Sequence, residues 1–213
     1  VSDAIAAVEG LAAQCADGPA LGIGGPVRQG SKLYNGYYVL EGGRIHARVL
    51  KHHLPNDAVF DEKRVFASAD VHGPYVVKGV RIGTPICEDA WHPDVAETLA
   101  ETGAEILLIP NGSPYHRGKP NLRLNLMVSR VIETGLPLVY LNMVGGQDDQ
   151  VFDGSSMVLN RCGWRANGAL PLMTASAIAF NVRTWRPGTS AVRAEISSWA
   201  RLLNAMSVMA EAG

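Results

Sequence analysis

Over residues 79–146 the chain alternates apolar runs with amphipathic ones in a fixed order. GVRIGTPICED, AEILLIPNGSPY and LPLVYLNMVGG read as strands. Between them, PDVAETLAETG (opened by Pro93 and closed by Gly103) and NLRLNLMVSRVIETG read as helices. Strand–helix–strand–helix–strand leaves few folds open, because parallel neighbours need long crossovers and those crossovers are right-handed. Residues 106–109 and 136–141 are almost wholly apolar, as strands covered on both faces must be. An α/β chain with a partly parallel sheet is expected. Each strand run ends in polar or small residues: Cys87-Glu88-Asp89, Asn111-Gly112-Ser113, and Asn142 onward to Gly146. Ligands bind beyond the carboxyl ends of such strands, so these three loops should line one site.

Upstream, SDAIAAVEGLAAQC carries Ile5, Val8, Leu11 and Ala12 at helical spacing, with Ser2 as the expected N-cap and Gly18 as the stop. ALGIGG reads as a short buried strand with a tight exit at its glycines. LYNGYYVLEGG and RIHARVLKHHLP, joined by Glu41-Gly42-Gly43, read as a β-hairpin. The balance of 19 basic and 20 acidic side chains gives no electrostatic footprint for nucleic acid. No apolar stretch approaches the roughly 20 residues of a membrane span. Cys15, Cys87 and Cys162 are far apart and odd in number, which argues against a disulfide framework and places the chain in the reducing cytosol.

Two motifs fail on inspection. GSPYHRGK, from Gly112 to Lys119, has five residues between its glycines and Pro120 after its lysine, so it is not a phosphate loop. The six histidines show no H-x3-H pair, and His52 and His53, read as strand neighbours, would point to opposite faces. No metal site is expected. Cys87 is different, because a cysteine at a sharp strand-to-helix turn gains a helix N-terminus and free backbone N–H groups. A nucleophile and a buried structural cysteine both remain open for it. Glu88 and Asp89 would repel a thiolate unless they point elsewhere, so a cationic partner is needed. Lys51, in the apolar run VLKHHLP, is one candidate, and an edge-strand lysine facing water is the competing reading.

KHHLPNDAVFDEKRVF, GTPICEDAW, IPNGSPYHRGK and VYLNMVGGQDDQVFDGSSMVLN, in that order, resemble the carbon–nitrogen hydrolase (nitrilase) superfamily. They are most similar to the glutaminase domain of glutamine-dependent NAD synthetases. The resemblance implies a nitrilase-type α-β-β-α sandwich over residues 1–160, incomplete at its N-terminal strands. It makes Cys87 the nucleophile on the glutamine amide, with Lys51 beside the sulfur and the oxyanion. Glu62 would orient Lys51, the Glu88 backbone N–H would be the second oxyanion donor, and Ser113 and Lys119 would hold the substrate. The implied partners are glutamine, a synthetase domain or chain that receives ammonia, and further copies of the chain. ATP and Mg²⁺ would serve only that synthetase domain, and no cofactor is expected here.

Two departures from the family pattern stand out. No FPEL-like phrase precedes Lys51, so the family's general-base glutamate is missing, and Glu9 and Glu41 lie in the wrong contexts to replace it. Asp57 occupies a position where the family usually carries tyrosine. Residues 161–213 match no family text and read as a divergent or truncated tail, so the chain reads as a piece of a larger enzyme. A free-standing amidase or nitrilase, and a non-catalytic remnant, are the alternative readings.

Overall fold

The computed structural model describes residues 1–56, 59–161 and 177–180. Asp57, Cys162 and nearly all of the segment expected to be a tail lie outside the described residues.

A first helix, α1 (Ser2–Gln14), leads into β1 (Ala20–Gln29), β2 (Lys32–Glu41) and β3 (Arg44–Leu50), each antiparallel to the next. The N-cap of α1 is Val1, not Ser2, and it makes no side-chain cap. The ALGIGG run is only the first part of β1, which continues through Pro26 to Gln29. Its glycines serve packing rather than a strand exit, since a Cβ on Gly22 would collide with the ring of Tyr37. Pro26 lies past the described stretch that pairs with β11 (Ala177–Phe180).

The second sheet contains the expected alternation. β4 (Tyr75–Val77) and β5 (Val80–Gly83) form a hairpin. After β5 come α2 (Pro93–Glu101), β6 (Ile106–Asn111), α3 (Lys119–Thr134) and β7 (Leu138–Asn142), with β5, β6 and β7 mutually parallel. A small hairpin of β8 (Val144–Gln147) and β9 (Gln150–Asp153) follows, and β10 (Met157–Leu159) returns antiparallel beside β7. The strand order is β10-β7-β6-β5-β4, against β11-β1-β2-β3 in the first sheet.

Period-two alternation builds the layers. Ile106 and Leu108 of β6 face the first sheet, packing with Tyr37, Val39 and Leu141. Leu107 and Ile109 of the same strand face the helices, against Leu99, Met127 and Val131. On the far side, Val8 and Ala12 of α1 cover Tyr34, Tyr38 and Leu40 of β2. The order is therefore α1, first sheet, second sheet, then α2 and α3: an α-β-β-α sandwich.

Candidate active site

Three chain segments meet where the parallel strands end. β5 stops at Gly83, earlier than the run GVRIGTPICED suggests, and Cys87 opens a 3₁₀ turn over Cys87–Trp91. Cys87 has φ +50°, an uncommon conformation for a side-chain-bearing residue. Burial pushes the Cys87 thiol up; the Lys51 charge pulls it back down, while Glu88 and Glu62 push it up again. The Gly112 backbone amide, just past β6, favours the thiolate and pulls the Cys87 thiol down. The resting group is thus a thiol, and among the described residues its cationic influence is Lys51.

Lys51 is almost fully buried and lies one residue beyond β3, not inside a strand. Its N–H still donates to Asn35 O at 2.9 Å, and its carbonyl accepts the Ala69 N–H at 3.2 Å. Its Nζ donates to Glu62 Oε1 at 2.7 Å, and Asn35 Nδ2 donates to Glu62 Oε2 at 3.1 Å. An amine desolvated to this degree needs a fixed counter-charge, and Glu62 supplies it. Lys51, Glu62 and Cys87 therefore form one charge cluster.

Asp89 does not repel the sulfur in the way its position in Cys87-Glu88-Asp89 suggests. Its buried carboxylate accepts the Ile86 N–H at 2.9 Å and the N–H groups of His52 and His53 at 3.1 and 2.7 Å. One side chain thus ties the segment after Lys51 to the turn that presents Cys87. Glu88 stands second in that 3₁₀ turn, where helical N–H groups have no partner within the helix.

Ser113 is buried and accepts a hydrogen bond from Arg123 Nε at 3.2 Å. Its N–H donates to Asn142 Oδ1 at 2.8 Å. Its carbonyl accepts from Arg123 Nη2 at 2.8 Å and from Asn142 Nδ2 at 3.1 Å. Arg123 also reaches Asp153 at 2.7 Å, with its guanidinium out of contact with water. Lys119, at the start of α3, lays its Nζ 4.4 Å from the centroid of the Trp91 ring, the last residue of the Cys87 turn. The loops after β5, β6 and β7 are joined by these contacts.

Arg123 and Asp153 are absent from the sequence-derived site, and Asp89 and Asn142 entered it only as residues of strand-end loops, without these bonding roles. Arg123 had a signal: it stands four and eight residues before Met127 and Val131, on the core face of α3. The histidine reading also needs correcting. His52 and His53 lie beyond the end of β3, so strand alternation does not separate them, and their rings touch edge to face with centroids 4.5 Å apart.

Comparison with known proteins agrees with this architecture. The family model described as carbon-nitrogen hydrolase matches residues 4–171. A glutamine-dependent NAD(+) synthetase from Rhodobacter capsulatus is 61% identical over 158 residues, covering 74% of this chain and 29% of that protein. Its namesake from Xanthomonas campestris is 48% identical over 139 residues, covering 64% of this chain and 25% of the relative. The chain thus spans less than a third of these curated relatives. Among solved structures, a glutamine-dependent NAD+ synthetase from Acinetobacter baumannii superposes with a TM-score of 0.72 at 33% identity, over 78% of this chain and 32% of that one. A carbon-nitrogen hydrolase from Helicobacter pylori follows with 0.68 at 27%, over 77% and 62%. The four-layer sandwich and the match over residues 4–171 place this chain in the carbon–nitrogen hydrolase family.

Proposed function

We propose that this chain forms the glutamine-hydrolysing part of a glutamine-dependent NAD synthetase, a cytoplasmic enzyme in which released ammonia amidates deamido-NAD at a separate ATP-using synthetase domain. The observation that carries the reading is the Cys87 sulfur on a positive-φ turn, with Lys51 fixed beside it by Glu62. The similarity to the Rhodobacter capsulatus enzyme supports the choice of substrate.

In this reading, with no general-base glutamate before Lys51, a water molecule takes the Cys87 proton and the sulfur attacks the side-chain amide carbon of glutamine. The carbonyl oxygen becomes an oxyanion, stabilised by the Lys51 ammonium and the Glu88 N–H. Collapse breaks the C–N bond, and the nitrogen leaves as ammonia after taking back, through water, the proton that Cys87 released. The resulting thioester is cleaved by water to glutamate, returning the thiol. Lys51, held by Glu62, stays cationic throughout and serves both the forming thiolate and the oxyanion. Ser113 and Lys119 flank the substrate headgroup, whose carboxylate suits a lysine.

A diazoketone analogue of L-glutamine tests the proposal. It should alkylate Cys87 one to one by mass spectrometry, and L-glutamine should protect while acetamide does not. Equal protection by acetamide would favour a free-standing amidase, the activity of a solved Nesterenkonia structure that superposes with a TM-score of 0.65 at 26% identity. Absence of labelling at Cys87 would leave the nucleophile assignment without support.

A further inference from the structure

Beside the Cys87 turn, a polar pocket of about 480 Å³ is lined by His52, His53, His92, Glu88, Lys63 and Ser68, among others. The catalytic reading uses none of its three histidines. Their arrangement is built rather than incidental. The backbone N–H groups of His52 and His53 both point to one buried oxygen, Asp89 Oδ1. That fixes the two successive residues and sends both imidazoles outward. His52 Nδ1 lies 2.5 Å from the Ala69 carbonyl, an acceptor, so Nδ1 carries the ring proton and Nε2 keeps a lone pair. His53 Nε2 is 2.9 and 3.0 Å from the two carboxylate oxygens of Asp94. Asp94 is itself steadied by the Val95 N–H at 2.9 Å, in the first turn of α2. One donor atom from each of His52, His53 and Asp94 lies within 4.8 Å of the others. The His92 ring packs against His53 with centroids 4.2 Å apart.

We propose that His52, His53 and Asp94 form a binding site for a divalent cation of the zinc class, with water or His92 in the fourth position. Two imidazoles and one carboxylate are the donor set that borderline cations favour, and a poor match for Mg²⁺ or Ca²⁺, which take oxygen ligands. The Ala69 carbonyl behind His52 has the form of the outer partner that orients a metal-binding histidine, while Asp89 fixes the two backbones rather than the rings. Closing the cluster from separations of up to 4.8 Å to bonding distance calls for rotation of the Asp94 side chain, which is exposed, and movement of two half-buried rings. The plain alternative is a hydrogen-bonded His53–Asp94 pair with no affinity for metal.

Calorimetric titration of the full chain with ZnCl₂ separates the two, after its thiols have been blocked with iodoacetamide so that Cys87 cannot act as a ligand. One equivalent should bind, and excess Mg²⁺ should not compete. His53→Ala and Asp94→Asn should each weaken binding about tenfold or more, while His116→Ala, at an exposed histidine outside the cluster, should leave it unchanged. If His53→Ala fails to fold, Asp94→Asn carries the test alone, because Asp94 is exposed. Failure of the blocked chain to bind Zn²⁺, or unaltered affinity in a folded variant, overturns the site.

Discussion

Asp89 accepts the His53 N–H at 2.7 Å across a separation of 36 residues, and with its other oxygen it holds the Ile86 N–H at 2.9 Å. The residue before Cys87 and the second residue after Lys51 are thereby fixed to one carboxylate. Asp89→Ala leaves three N–H groups without their acceptor in a buried setting. At about 1–3 kcal/mol for each unsatisfied buried group, with partial rescue by water, the expected loss is about 3 kcal/mol. Urea unfolding midpoints of the parent and variant chains check it. A loss below about 1 kcal/mol would mean that the loops hold their positions without Asp89.

The charge cluster makes opposite forecasts for its two members. Burial raises the Cys87 pKa, Lys51 lowers it, and Glu62 raises it. Lys51→Met should therefore push the thiol further up and slow alkylation by iodoacetamide at pH 8 about tenfold, the scale of one pKa unit. Glu62→Gln should pull the thiol down and speed alkylation at the same pH. Rates that move the same way in both variants would show that access, not charge, governs Cys87.

Much of this arrangement is legible in the sequence, and the failures have physical causes. The β5–α2–β6–α3–β7 order is visible because buried parallel strands are continuously apolar and their helices are amphipathic. Lys51 read as a strand residue because the run VLKHHLP has apolar residues on both sides of it, but the β3 ladder stops at Leu50. The Lys51 N–H makes a last bond to Asn35 O, and the N–H groups of His52 and His53 turn to Asp89. Asp89 itself read as a charge facing the thiol. Linear order places it two residues from Cys87, yet the 3₁₀ turn directs its carboxylate back onto the backbone. The glycines of β1 read as a strand exit because a glycine's role depends on what crosses it, here Tyr37 from the neighbouring strand.

In the proposed function, Lys119 over Trp91 would link substrate recognition to the Cys87 turn. Lys119→Ala should reduce the protection of Cys87 by L-glutamine about tenfold, as loss of one charged hydrogen bond of about 1.5–3 kcal/mol implies. The uninhibited labelling rate by iodoacetamide should stay unchanged, since Lys119 does not act on the thiol in this geometry. Trp91→Leu should produce a smaller change in the same direction, because it loosens the lysine without removing it. Full protection in Lys119→Ala would move the carboxylate-binding role to another cation.

The Arg123–Asp153 pair sets an acid limit on stability. Burial alone would raise the Asp153 pKa, but hydrogen bonds from Ser155 and Arg123, together with the Arg123 charge, hold it below the usual carboxylate value of 3.8. A carboxyl with a lower pKa in the folded state stabilises the fold fully above its unfolded value. That contribution disappears as pH falls from about 4 through the folded value. Asp153→Asn should therefore cost about 2 kcal/mol at pH 7, the scale of a hydrogen bond to a charged group. Below about pH 4 the parent should lose stability more steeply than the variant, so the two curves converge. Arg123→Met is harsher, since it strands Asp153 and the Ser113 and Pro114 carbonyls together, and about 3–5 kcal/mol is expected. Thermal melts from pH 2 to 7 measure all three chains, and parallel curves for parent and Asp153→Asn would show that this carboxylate does not set the limit.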